Sequence, residues 1–255
     1  MQIGLLGYGT VGKAFYALVE EQPELTVKTL LTRRPRGLSC QETADFADIL
    51  NDSAIDLVVE LIGGIHPAYE YISAALQAKK HVVTANKAVV CAYSRELIAL
   101  AAENGVSLRC TAAAGGGIPW LSSLGRVARM DKVTAVEGIL NGTTNYILSE
   151  MTARNAAYGE LLKEAQELGY AEADPTDDVE GYDARRKLVL SANLAFSALL
   201  REEDIPCVGI SSMTVGDIAW ARERGPGMEA DCPGRAAKRR RERLRLPHPL
   251  PRLHS

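Results

Sequence analysis

Aromatic side chains are scarce: they make up only 5% of the 255 residues, with three Phe and two Trp, so the core must be built from aliphatic side chains and alanine. That composition suits helices laid on a parallel sheet, whose strands are buried on both faces. Cysteine is thin as well. The five cysteines (Cys40, Cys91, Cys110, Cys207, Cys232) are scattered, odd in number and never spaced as CxxC, which argues against a disulfide framework and against a zinc site. No run of about 18 apolar residues occurs, which speaks against a membrane-spanning helix. Met1 leads into a strand pattern rather than a basic, then apolar, leader, so a cytoplasmic protein is expected.

What is present is an ordinary globular balance, 47% hydrophobic and 24% charged, enough for one large domain or two sharing a boundary. The net charge of −3 hides an asymmetry. Residues 225–255 hold 8 Lys/Arg against 3 Asp/Glu, leaving 21 against 29 in residues 1–224, so the body is acidic and the tail basic.

Residues 2–7 form an apolar run that ends in Gly7-Tyr8-Gly9-Thr10-Val11-Gly12 and passes into the helical stretch 13–21. In this strand, glycine turn and helix order, backbone N–H groups at the helix start can receive a pyrophosphate that a side chain would block. A second strand, 26–32, follows at the expected distance, and Gly7, Gly9, Thr10, Val11 and Gly12 become candidate dinucleotide contacts. Where an Asp or Glu would hold a ribose 2′-hydroxyl, the chain has Thr32-Arg33-Arg34-Pro35-Arg36. Guanidinium groups at Arg33 and Arg34 suit a 2′-phosphate, which favours NADP(H) over NAD(H).

Alternation continues with a helix at 44–51, a strand at 55–61, a helix at 69–79, a strand at 81–85, a helix at 94–105 and a strand at 106–112. Five β runs with helices between them predict an α/β fold, a doubly wound parallel sheet with ligands beyond the carboxyl ends of its strands. Residues 62–64, 85–87 and 115–119 fall there, and Lys87 is a candidate contact at the mouth of that crevice. Glu60 reads as a strand-end carboxylate, and His66 and His81 have no partner at ligand spacing.

From Val133 the pattern changes. A strand is expected over 133–141, then a helix capped by Thr143 or Thr144 and a second helix over 158–169 that stops at Gly169, with the strands forming a small separate sheet. Between Gly169 and Lys187 the chain places six acids, Glu172, Asp174, Asp177, Asp178, Glu180 and Asp183. If Gly181 opens a helix, Asp183 and Lys187, four apart, share one face, which sets a proton donor beside a carboxylate. Asp174 and Asp177 suit capping and solvation of the turn.

The runs GYAEADPTDDVEGYDARRK (169–187), GILNGTTNYIL (138–148), GGGIP (115–119) and TANKA (84–88) together resemble homoserine dehydrogenase, in one unbroken order over residues 1–224. The resemblance implies an NADP-binding Rossmann domain (1–130) followed by an α+β catalytic and dimerisation domain (131–224) that is incomplete at its carboxyl end. It implies a homodimer and the NADP-dependent interconversion of L-aspartate 4-semialdehyde and L-homoserine, in threonine and methionine biosynthesis. By resemblance Lys187 protonates the forming alkoxide, Asp183 orients it, Glu172 binds the substrate amino group with Asp178 a further matching carboxylate, and Lys87 contacts cofactor and substrate. A monovalent cation, Na+ or K+, is implied at the carbonyls of Ala114, Gly116 and Ile118, although Thr111 stands where the family often has Glu.

After Arg224 the composition breaks into an arginine- and proline-rich tail with no sustained period, for which disorder is expected, with no nucleic-acid or membrane partner. Further family elements are absent there, consistent with a truncated or frame-shifted product. Two further readings therefore compete with a working homoserine dehydrogenase: a non-catalytic relative that binds NADP(H) only, and another Rossmann oxidoreductase with a different small carbonyl substrate.

Overall fold

The computed structural model describes residues 1–223, and the chain divides into two compact units, Met1–Arg126 and the part from Val127 onward. The expectations for the tail lie outside the described residues.

In the first unit, six strands make one parallel sheet: β1 (Gln2–Leu6), β2 (Thr26–Leu31), β3 (Gln41–Thr43), β4 (Leu57–Glu60), β5 (His81–Thr84) and β6 (Leu108–Arg109), in the order β3-β2-β1-β4-β5-β6. This is the doubly wound order, with the chain reversing direction across the sheet between β1 and β4. Its helices are α1 (Thr10–Glu20), α2 (Ala47–Leu50), α3 (Ala68–Gln77) and α4 (Lys87–Glu103), and α5 (Trp120–Met130) runs across the boundary at Arg126. Side-chain alternation on β1 divides the core in two. Ile3 and Leu5 pack with Tyr16 and Val19 of α1, while Leu6 packs on the opposite face with Ile49, Ile72, Leu76 and Leu97. Ile3, Leu5, Leu6, Leu30, Ile72 and Leu97 are almost completely buried, each contributing about 1.5–3 kcal/mol relative to exposure.

Five expected β runs are matched, and a sixth strand, β3, was not foreseen. Gln41-Glu42-Thr43 is three polar residues with no period to detect, held by the ladder to β2. The expected helix over 44–51 shrinks to α2, and that over 94–105 begins earlier, at Lys87, with a break at Tyr93 (φ −127°). Asn86 accounts for the early start: its side chain accepts the Val89 N–H as an N-cap.

In the second unit, α6 (Gly142–Arg154), α7 (Tyr158–Glu167), α8 (Thr176–Val179), α9 (Tyr182–Phe196) and α10 (Val215–Glu223) follow. Ile147 and Met151 of α6, Leu161 and Ala165 of α7, Val179 of α8 and Ile218 of α10 share one apolar cluster. The strand expected over 133–141 is corrected: the segment carries no strand, and no sheet is present in this unit among the described residues. A strand exists only against a hydrogen-bonded neighbour, and none of the described residues supplies one, while Ile139 stays 74% exposed. The cap of α6 is Asn141 rather than Thr143 or Thr144.

Among the described residues no helix is long and apolar enough to cross a membrane, and no group of three or more His, Cys, Asp or Glu is placed to hold a metal ion. Among the described residues Cys40, Cys91, Cys110 and Cys207 form no disulfide.

Candidate active site

The glycine turn of the first unit separates into two kinds of glycine. Gly7 has φ +96°, and a Cβ there would stand 2.9 Å from the Leu61 carbonyl oxygen; a Cβ on Gly12 would stand 2.3 Å from the Gly7 carbonyl oxygen. Packing alone demands both. Gly9 is different, because a Cβ there would meet nothing within 4 Å. Close protein packing does not require a glycine at that point, whereas a pyrophosphate approaching the backbone does. Gly9 is the N-cap of α1 and offers no side-chain acceptor, and the first turn through Thr10, Val11 and Gly12 contains no acid. The turn therefore fits a dinucleotide phosphate on donor chemistry and on steric grounds.

Arg33 and Arg34 are exposed in the loop after β2, where the Thr32 hydroxyl donates to the Arg34 carbonyl at 2.9 Å. Glu42 of the unforeseen β3 orders the far side of this loop, accepting the N–H groups of Arg36 (2.5 Å) and Leu38 (2.8 Å). The Leu38 and Arg36 N–H groups hold its carboxyl below the usual range. Arg36 places its guanidinium carbon 5.9 Å from the Tyr8 ring centroid, on the glycine turn itself.

Glu60 is more than a strand-end carboxylate. Completely buried, it accepts from the N–H groups of Ile62 (2.8 Å) and Gly63 (3.3 Å) and from the Thr84 hydroxyl (2.5 Å). Thr84 in turn accepts the Asn86 N–H, and the Asn86 amide donates to the Gly64 carbonyl at 2.6 Å. These bonds tie the carboxyl ends of β4 and β5 together and fix the start of α4, where half-buried Lys87 is the first residue. His66 pairs with Glu70 at 2.6 Å on the surface. Of the three carbonyls proposed for a cation, that of Ile118 already accepts the Trp120 N–H at 2.7 Å, while Gly116 has φ +56°.

In the second unit the acidic run is sorted by its hydrogen bonds. Gly181, at φ +80°, is the N-cap of α9, and Asp183 and Lys187 project from the first turns of that helix as spacing requires. Lys187 Nζ lies 2.6 Å from Asp183 Oδ2 and donates to the Leu140 carbonyl at 2.7 Å. The Asp183 side chain is 7% exposed and that of Lys187 21%. An ammonium has three N–H groups; among the described contacts two are engaged, and the third remains for an acceptor from solvent.

Asn141 and Thr143 belong to the same network. The Asn141 amide donates to Asp178 Oδ1 at 2.7 Å and to Asp183 Oδ2 at 2.9 Å. Thr143 Oγ1 lies 2.9 Å from Asp178 Oδ2 and 2.7 Å from the Tyr170 carbonyl, two acceptors for one hydroxyl proton. Sequence reading took Thr143 only as a candidate cap and passed over Asn141, although an Asn ahead of a helical run is the usual signal of a cap. Tyr170 stacks on Tyr146 at 4.8 Å, and the Tyr146 hydroxyl donates to Glu164, which pushes the phenol pKa up to about 12. Tyr146 is therefore protonated at neutral pH and serves as a bracket.

The other acids lie apart from this centre. Asp174 caps the next turn by accepting from the Thr176 hydroxyl (2.6 Å) and N–H (3.2 Å), bonds that lower its pKa. Asp177 pairs with Arg186 at 2.7 Å. Glu172 is exposed, and its backbone carbonyl takes a hydrogen bond from Gln166. The structure thus brings Asp178, Asp183 and Lys187 together and leaves Glu172 outside their hydrogen-bond network among the described residues.

Residues 7–111 match the family profile described as homoserine dehydrogenase, NAD binding domain, and residues 119–231 the profile described as homoserine dehydrogenase. The chain is 40% identical over 244 residues to homoserine dehydrogenase of Bacillus subtilis, covering 90% of this chain and 56% of that protein. The solved structure of a homoserine dehydrogenase from Thiobacillus denitrificans superposes with a TM-score of 0.82 at 39% identity, over 88% of this chain and 56% of that one. A putative homoserine dehydrogenase from Archaeoglobus fulgidus superposes with a TM-score of 0.78 at 32% identity, over 88% and 77%. The chain spans about half the length of the curated relatives it matches. With an NAD-binding domain preceding a catalytic domain and both matching the same family, this chain belongs to the homoserine dehydrogenase family of oxidoreductases.

Proposed function

We propose that this chain interconverts L-aspartate 4-semialdehyde and L-homoserine, with NADP(H) favoured over NAD(H), through an NADP-binding domain at 1–130 and a catalytic domain at 131–224. The observation that supports this reading most is Lys187, held 2.6 Å from a buried carboxylate with one N–H position left over among the described contacts. When bound, the reduced nicotinamide supplies the hydride that reaches the aldehyde carbon. Charge then develops on the carbonyl oxygen, and Lys187 neutralises it by giving up a proton. Asp183 keeps the ammonium aimed. In the reverse direction neutral Lys187 takes the proton from the hydroxyl of homoserine.

Asp178 and Glu172 bind the substrate amino group in this reading, with Glu172 free to meet it from its exposed position. Gly7, Gly9, Thr10, Val11 and Gly12 receive the pyrophosphate, Lys87 contacts cofactor and substrate, and Arg33 and Arg34 pair with the 2′-phosphate. Arg33→Ala should raise KM for NADPH about tenfold while changing KM for NADH little, because only the former carries the phosphate that a guanidinium holds. An unchanged ratio of the two constants would count against the cofactor preference. A monovalent cation at the carbonyls of Ala114, Gly116 and Ile118 belongs to the reading.

A cytoplasmic homodimer serving threonine and methionine biosynthesis completes the proposal. Ile139, Leu194, Leu199 and Val208 are large apolar side chains left 40–74% exposed in the second unit, the kind of surface a second subunit covers. Sedimentation giving only the monomer mass at micromolar concentration would remove that part. A second reading, a relative that binds NADP(H) without turnover, is favoured by Glu172, which lies outside the Asp178–Asp183–Lys187 network among the described residues. An assay of NADPH oxidation with aspartate semialdehyde, run beside an NADPH binding titration, separates the two: binding without oxidation selects the second.

A further inference from the structure

Asn141 occupies a position whose chemistry goes beyond capping. The residue is 6% exposed, and all its side-chain hydrogen-bonding capacity is engaged. Its Oδ1 accepts from the Thr144 N–H at 2.9 Å and lies 3.1 Å from the Thr144 hydroxyl. Its Nδ2 faces Asp178 Oδ1 at 2.7 Å and Asp183 Oδ2 at 2.9 Å. The amide has only one workable orientation, because a flipped side chain would set an oxygen against two carboxylates and a nitrogen against an N–H.

Two carboxylates brought to one small centre repel each other. A neutral residue with two N–H groups donates one to each and joins them without adding charge. Lys187 then finds the Asp183 carboxylate in a fixed place. Leu140, whose carbonyl accepts from Lys187, immediately precedes Asn141, so the residue that bridges the acids also anchors the backbone acceptor of the ammonium.

We propose that Asn141 is a positioning residue, a two-donor bridge between Asp178 and Asp183 that holds Asp183, and through it Lys187, in place for proton transfer. The proposal rests on the reading of Lys187 as the proton donor. Among the described residues the titratable groups facing Asn141 are Asp178 of α8 and Asp183 and Lys187 of α9; Tyr170 approaches the network through its carbonyl.

Asn141→Asp tests it, since Asp caps α6 as well as Asn does but replaces two donors with an acceptor. A carboxylate beside two others has its folded-state pKa raised above the unfolded value. The resulting loss of stability is present above the folded pKa and disappears as pH falls towards the unfolded one. The melting temperature of N141D should therefore lie well below that of the wild type at pH 8, with the gap narrowing at pH 5.5. The kcat should follow the same course, about 10²-fold below wild type at pH 8 and recovering at pH 5.5 as the introduced carboxyl takes up a proton and donates again. Asn141→Ser, a capping residue without the bridge, should show a kcat deficit of similar size that does not recover at low pH. A kcat ratio of N141D to wild type that is flat with pH, or a melting gap equal at both pH values, overturns the bridge. If the wild-type chain itself fails to oxidise NADPH, the proposed function fails, and the melting gap still decides whether Asn141 bridges the two carboxylates.

Discussion

Lys187→Ala is expected to lower kcat by about 10³-fold, within the range that a positioned general acid contributes, while the dissociation constant for NADPH changes less than about twofold. The two halves of that result have separate causes. Alanine removes the ammonium that in the proposed reaction meets the developing charge, and among the described residues its neighbours are otherwise engaged: Asn141 is committed to two carboxylates and Thr143 to Asp178 or the Tyr170 carbonyl. The glycine turn belongs wholly to the unit Met1–Arg126 and does not contain Lys187. Some stability should also be lost, because Asp183 is left buried without its cation. NADPH titration and a circular dichroism spectrum distinguish lost chemistry from lost folding. Equal losses of turnover and of NADPH binding would make Lys187 a structural residue.

Gly9→Ala and Gly12→Ala should fail in opposite ways. At Gly12 a methyl group would be driven to 2.3 Å from the Gly7 carbonyl oxygen, so helix α1 must shift on the sheet at a cost of about 1–3 kcal/mol or more, and the melting temperature should drop. At Gly9 the methyl meets no protein atom within 4 Å, and φ −78° is ordinary for alanine. The fold should therefore lose about 1 kcal/mol or less, the cost of alanine at an N-cap. NADPH affinity should nonetheless fall by about 10²-fold or more, since the added carbon occupies the line of approach to the backbone N–H groups. Melting curves and NADPH titrations of both variants read the contrast. A Gly9→Ala protein that binds NADPH as tightly as wild type would mean that the dinucleotide does not lie on this turn.

The sheet was legible because strands buried on both faces carry their signal in composition: residues 55–61 and 81–85 are apolar runs bounded by turns. Strand β3 was not, because Gln41, Glu42 and Thr43 are polar and are held by backbone pairing to β2 rather than by side-chain burial. Its omission hid Glu42, which organises the loop carrying Arg36. The Asp183–Lys187 pair was readable from helical spacing alone, since four residues return a side chain to one face. Asn141 and Thr143 lie 42 and 35 residues from their partners Asp183 and Asp178, a proximity created by packing that no local pattern encodes. The strand expected over 133–141 failed for a related reason. Val133, Ala135 and Ile139 would share one face of a strand with Glu137 between them, but a strand needs a neighbour, and the described residues provide none.

In the proposed reaction Lys187 donates a proton to an aldehyde oxygen as hydride arrives from NADPH. The most direct measurement is the rate of NADPH oxidation by this chain with L-aspartate 4-semialdehyde, for wild type and Lys187→Ala side by side at saturating NADPH. The wild type should oxidise NADPH steadily and yield homoserine, and the variant should do so about 10³-fold more slowly. Tight NADPH binding with no oxidation by the wild type, or equal rates for the two proteins, would contradict the proposed reaction.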